Sequence, residues 1–210
     1  MGIFFKPKQN DNEFVRSLNA YYNNDEQILA CNYFFGNNGY EVNVPKALGI
    51  LYKGINYCDG DAMATLGIID MIGAPPYVLQ NIEAGIEKLI QACRMGNNFA
   101  FFMLLSIYRD GVCPNVPNIS LKEYIDLDKA GEIFIKLSEE AINAQKGDLI
   151  YGLESCYLGA IWAYLNGYGT ICDLDKAEYW LTVAKNTSMA YNPWAKTLEN
   201  ELNNKRNLGL

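Results

Sequence analysis

The residues that come closest to a chemical signature are two doubled aspartates, Asp126-Leu-Asp128 and Asp173-Leu-Asp175, each followed by Lys-Ala. A D-x-D pair could open a calcium loop, but the glycine and distal glutamate of an EF-hand are missing. Helix capping fits better, with Asp126 and Asp173 at the N-cap and Asp128 and Asp175 set against the positive end of the helix dipole. Six cysteines, at 31, 58, 93, 113, 156 and 172, form no C-x-x-C pair, which removes zinc-ribbon and thioredoxin-like chemistry. They read as small apolar residues of a reducing compartment. Histidine is absent, and with it every histidine-based triad, metal site or pH switch. There is no phosphate loop, dinucleotide fingerprint or G-x-S-x-G elbow, and Glu139-Glu140 reads as a solvated pair on a charged helix surface. With no activated nucleophile or acid–base pair to name, a protein that is not an enzyme and holds no cofactor or metal is expected.

Composition narrows the class further. A chain of 210 residues, 50% hydrophobic and 20% charged, can bury a substantial core and suits one domain or one continuous array. Its formal charge of −7 is spread along the chain without a basic tract, which argues against nucleic acid or anionic lipid as a partner. No apolar stretch approaches the roughly 20 residues of a membrane span. The opening stretch Met1–Lys8 is interrupted by charge and proline after three apolar residues, so no export signal is read and the cytoplasm is the expected location.

The elements that would carry any site come from a repeat. After Asp126, Ala130, Ile133, Phe134 and Leu137 recur at helical spacing; after Asp173, so do Ala177, Trp180, Leu181 and Ala184. Upstream of each capped helix a second element ends in Tyr-x-x-Gly: Tyr33/Gly36 before Asn43, Tyr108/Gly111 before Asp126, and Tyr164/Gly167 before Asp173. A degenerate copy has Gly73 before Asn81. Asn43 to Gly73 and Asn81 to Gly111 are both thirty residues, an agreement that unrelated helices would hardly reach. The spacing predicts helix pairs over 26–36/43–57, 61–73/81–95, 98–110/126–143 and 149–166/173–186, in a unit of about 37 residues. A helix over about 11–22 should cap one end, and one opened by Pro193 and running to Asn204 should cap the other. In the third unit, Val112–Ile125 inserts about nine extra residues, predicted as an ordered turn and a short helix capped by Ser120 with Glu123. A second lengthening, near Ser138–Ser155, reads as an extension of two facing helices.

The stretch Ala163-Tyr-Leu-Asn-Gly-Tyr-Gly169, with Asp173-Leu-Asp-Lys-Ala-Glu-Tyr-Trp180 and Ala184, resembles a Sel-one-like repeat, a relative of the tetratricopeptide repeat. The second unit keeps Ala62, Leu66, Gly67 and Gly73 but has Asp70 for the tyrosine and Pro75 for the second glycine. The third keeps Ala100, Leu104, Tyr108 and Gly111, and the first keeps Leu29, Tyr33, Gly36 and Ala47. The resemblance implies an all-α fold: a right-handed α/α superhelix of four helix pairs over 26–186, with caps at 1–25 and 187–210. It also implies that first helices line a concave face and that the protein acts as a scaffold for a partner protein. Some cysteine-rich members of that family are linked to β-lactams, but paired cysteines in each repeat and a serine with lysine three residues on are both lacking here.

On that register the groove positions are Asn24 and Gln27 in the first unit and Asp61 in the second. The third contributes Phe99, Phe102, Arg109 and Asp110, and the fourth Ser155, Trp162 and Asn166. Aromatic residues and arginine favour anchoring, whereas aromatic residues at helical spacing are also ordinary core. Two further readings stay open: an immunity protein whose acidity blocks a cationic bacterial toxin, and a hydrolase-like enzyme or small-ligand binder with a site in the groove.

Overall fold

The computed structural model describes residues 25–114, 116, 119–145 and 154–209. Among them lie nine α-helices: α1 (Asp25–Phe35), α2 (Val44–Asn56), α3 (Gly60–Ile72), α4 (Ile82–Arg94), α5 (Asn98–Asp110), α6 (Leu127–Gln145), α7 (Glu154–Asn166), α8 (Leu174–Lys185) and α9 (Pro193–Asn207). The four expected pairs are α1/α2, α3/α4, α5/α6 and α7/α8. The expected helix over 11–22 and the start of the expected 149–166 helix lie outside the described residues. No described helix is long and apolar enough to cross a membrane.

One local device closes every pair. The backbone N–H of the N-cap residue donates to the carbonyl of the residue three before the turn glycine: Asn43 to Tyr33 at 2.7 Å, Asn81 to Asp70 at 2.8 Å, Asp126 to Tyr108 at 2.9 Å and Asp173 to Tyr164 at 2.9 Å. Each cap side chain then accepts from the N–H three residues on, at Lys46, Ala84, Lys129 and Lys176, over 2.9–3.0 Å. This satisfies a backbone donor that the first helical turn leaves free. The glycines 36, 73, 111 and 167 all have φ between +66° and +75°, which a side chain would resist. In each doubled aspartate the first residue is therefore the cap: Asp126 caps α6 and Asp173 caps α8, whereas Asp128 Oδ1 accepts from the Gly169 N–H at 2.8 Å and Asp175 pairs with Arg206.

The described residues divide into two compact units, one of 25–92 with 113, 114, 116 and 119, the other of 93–112 with 120–145 and 154–209. In the first, Ala30, Phe34, Ala47, Leu51, Ala62, Leu66 and Ile69 form one buried cluster across α1, α2 and α3. Helices α3 and α4 approach closely enough that a Cβ on Gly67 would stand 2.8 Å from the Gly85 carbonyl oxygen. In the second unit, Phe101 meets Phe134 at 4.7 Å and Trp194 at 6.1 Å, and Tyr157 stacks on Trp180 at 5.7 Å. Full burial of one such side chain is worth about 1.5–3 kcal/mol. Helix α9 is capped by Asn192, opens with Pro193, and buries Ala195, Leu198 and Leu202.

The insertion keeps the closure. The Leu121 N–H returns to the Gly111 carbonyl at 3.1 Å before Asp126 makes the usual bond to Tyr108. Cys113, Val116 and Leu121 are buried. The short helix is a 3-10 turn, Lys122–Tyr124, and its N-cap is Leu121, with no side-chain cap bond. Ser120 therefore does not cap it, because the helix starts one residue later than the serine spacing requires. The cysteines are only partly core: Cys31, Cys93, Cys113 and Cys156 are buried, but Cys58 and Cys172 are exposed.

Candidate protein-interaction face

Helices α5 and α7 supply most of the expected groove positions, and the second unit contains both. On α5, Phe102 and Arg109 are seven residues apart and so share a face. Phe102 is half-buried, its ring edge-on to Phe101 at 5.1 Å. Arg109 and Asp110 are exposed and paired with each other, through Nε to Oδ1 at 2.9 Å and Nη2 to Oδ2 at 2.6 Å. That hydrogen bonding holds the Asp110 carboxyl below its usual range and raises Arg109. On α7, Trp162 is half-buried with its ring 4.7 Å from Tyr168, and the Asn166 side-chain amide donates to the Trp162 carbonyl at 3.0 Å. Lys205 of α9 reaches over to donate to the Leu165 carbonyl at 2.6 Å and approaches Asn166 Oδ1 at 3.4 Å.

Three expected groove residues are corrected to interior positions. Gln27 is 1% exposed, and its Nε2 donates at 2.8 Å to Oδ2 of Asp59, the N-cap of α3. Ser155 is 1% exposed, with Oγ donating to Asn98 Oδ1 at 2.6 Å, so it ties the first turn of α7 to the start of α5. Phe99 is 7% exposed and belongs to the core. For Gln27 and Ser155, a neighbouring helix meets the face that register alone would leave free. Asp61 is half-buried in the first turn of α3, its N–H donating to Asp59 Oδ1 at 2.9 Å. Asn24 lies outside the described residues. Of the expected positions in the second unit, two half-buried aromatic residues, an exposed charged pair and a half-buried amide thus remain accessible. Such a set can bind by partial desolvation of aromatic surface with directional polar contacts around it.

No protein-family model matches the chain, and no curated protein matches it. Among solved structures it is similar to the Sel1 repeat protein from Oxalobacter formigenes, at 19% identity and a TM-score of 0.43, over 84% of this chain. The chain spans 63% of the length of that protein. What decides the repeat is the closure found four times over, with the same bond, cap and glycine. Among the described residues the chain has an all-α fold built of four helix pairs.

Helix α9 occupies the place of a fifth first helix. It packs on both α7 and α8, and its far end is fastened by Lys205 to the α7 terminus. The signal that could have found the role of Gln27 was the adjacent cap: a polar residue facing Asp59 is more useful to that carboxylate than to solvent.

Proposed function

We propose that this chain is a non-catalytic scaffold that holds a partner protein against the exposed parts of its first helices, in the cytoplasm. The observation that supports this best is the half-exposure of Phe102 and Trp162, on helices whose neighbouring aromatic residues Phe99, Phe101 and Tyr157 are buried. Folding alone would favour burying all five; two large rings left partly wet have the composition of binding anchors. The reading asks for recognition rather than bond-making, so it needs no nucleophile, metal or cofactor. Asp110 and Asn166 would supply polar contacts at the rim, where charges steer encounter more than they add affinity.

The net charge of −7 favours a cationic partner, and an immunity protein that neutralises a basic toxin is the narrower form of the same proposal. The test is affinity capture from the native host with Phe102→Ala, Arg109→Ala and Trp162→Ala variants, quantified by mass spectrometry. One partner should fall at least tenfold in the Trp162 or Phe102 variant and stay unchanged in Lys196→Ala. Identical captures across all variants would sink the first-helix face, and a toxin among the lost partners would establish the narrower form.

A further inference from the structure

A pocket lies on the other side of the second unit, between second helices. Its volume is about 370 Å³, and Glu139 and Asn143 of α6, Tyr164 of α7, and Lys176, Tyr179 and Trp180 of α8 line it. Its walls are the C-terminal turns of α6 and the first turns of α8, with Tyr164 near the end of α7. The α6 turns are those that the lengthening near Ser138 adds to the unit.

The pocket has a definite polarity. Tyr179 is 53% exposed, its ring edge-on to Trp180 at 5.3 Å, so one aromatic face is open to a guest. Lys176 is already engaged, 5.1 Å from the Tyr164 ring centroid and 3.8 Å from Asp173 Oδ2. Glu139 has no hydrogen bond or ion pair among the described residues, and its carboxylate is close enough to Tyr164 to act on that phenol. An unpaired carboxylate beside an open aromatic face, with the local lysine occupied, selects a cation. A planar guanidinium suits the combination best, because it can stack on a tyrosine while donating to a carboxylate and to the side-chain oxygen of Asn143.

We infer that this pocket receives an arginine side chain of the partner protein, a second contact separate from the first-helix face. The inference rests on the scaffold reading for the source of the arginine but not for the chemistry of the pocket. The probe is the peptide acetyl-Gly-Arg-Gly-amide, titrated into the isotope-labelled full chain and followed by amide chemical shifts, with acetyl-Gly-Glu-Gly-amide as the opposite-charge arm. Shifts should centre on Glu139, Asn143 and Tyr179. Glu139→Gln should weaken the arginine peptide about fivefold and Tyr179→Ala by a similar factor, while Glu87→Gln leaves it unchanged. Both pocket variants change exposed side chains, and circular dichroism checks that they fold.

The inference is overturned by any of three results: no shifts at the pocket, shifts indifferent to Glu139→Gln, or preference for the glutamate peptide through Lys176. Its failure is distinguishable from failure of the scaffold reading. Capture of a partner that survives Glu139→Gln removes the pocket and keeps the scaffold; arginine binding at the pocket with no partner affected by the first-helix variants does the reverse.

Discussion

Lys88 Nζ lies 2.5 Å from Asp70 Oδ2, in the hairpin where Asp70 stands at the position that tyrosine fills in the other three. In those three, the lysine three residues after the cap sits over the tyrosine ring: Lys46 on Tyr33 at 4.1 Å, Lys129 on Tyr108 at 5.8 Å and Lys176 on Tyr164 at 5.1 Å. The second pair has Ala84 at that lysine position and brings its cation from one turn further along α4. The attraction across the hairpin is kept while both partners change, from a cation on a ring to a cation on a carboxylate. Both side chains are largely shielded, so the pair is worth more than a surface ion pair but still loses desolvation energy. A double-mutant cycle of Asp70→Ala and Lys88→Ala, by urea denaturation, should give a coupling of about 1 kcal/mol. The rebuilt pair Asp70→Tyr with Ala84→Lys should restore stability to within about 1 kcal/mol of the parent. Zero coupling would show the contact to be incidental.

The close approach of α3 and α4 predicts opposite outcomes for the same substitution at two glycines. A Cβ on Gly85 would strike the Met71 side chain and the Gly67 carbonyl, and backbone atoms there cannot swing away. Gly85→Ala should therefore cost about 2–3 kcal/mol, an overpacking effect. Gly49 sits within α2 with nothing within 4 Å of its added Cβ. Gly49→Ala should stabilise by about 0.5–1 kcal/mol, since the helix interior prefers alanine. Midpoints of urea unfolding at constant slope would decide both.

Thiol chemistry should separate the cysteines into two classes. Cys58 and Cys172 are exposed, whereas the other four are buried. Burial alone pushes the Cys31 and Cys113 thiols up to about 12. Cys156 is also pushed up, first by its hydrogen bond with Cys93 and then by burial. At pH 8 an aromatic disulfide reagent should titrate two thiols quickly in the native protein and all six after denaturation.

The same shifts fix the direction of alkaline unfolding. A thiol raised when folded binds its proton more tightly in the native state than in the unfolded chain. Its contribution is intact below the ordinary value of 9.0 and is lost as pH climbs from there towards 12. Tyr108, raised to about 12 by burial and then by Asp126, adds to the loss above its ordinary 10.0. Urea midpoints should be level between pH 7 and 8.5 and fall steadily from pH 9 upward. Cys31→Ala should flatten part of that fall while lowering stability at neutral pH.

The hairpins were legible because their closure is local. A capping Asp or Asn, a small residue four positions on, and a glycine that must take positive φ are each fixed by neighbours in sequence, so Gly36, Gly111 and Gly167 could be located without a fold. The face of each first helix was not legible. In α3 and α7 nearly every residue is buried, so hydrophobic periodicity has no preferred side to report. Gln27 and Ser155 fall on groove positions of the repeat register; only the packing of α1 on α3 and of α5 on α7 shows that each is buried against a partner from a neighbouring helix. The pocket under Glu139 was hidden for a related reason, since it depends on which turns of α6 and α8 lie side by side.

Gln27 gives the sharpest way to separate a folding role from a binding one. Its Nε2 meets Asp59, which caps α3 by accepting from the Asp61 and Ala62 N–H groups, while its Oε1 is buried without a hydrogen-bond partner. Gln27→Leu relieves that unsatisfied oxygen but strips a donor from a half-buried carboxylate. Losing a hydrogen bond to a charged group outweighs relief of one neutral acceptor, so a net loss of about 1–2 kcal/mol is expected. Gln27→Glu should cost more, because it sets a second carboxyl against Asp59. Neither change should alter which proteins the folded chain captures, once the samples are compared below their unfolding midpoints. If Gln27→Leu left stability unchanged and removed a partner instead, the interior assignment of this residue would be overturned.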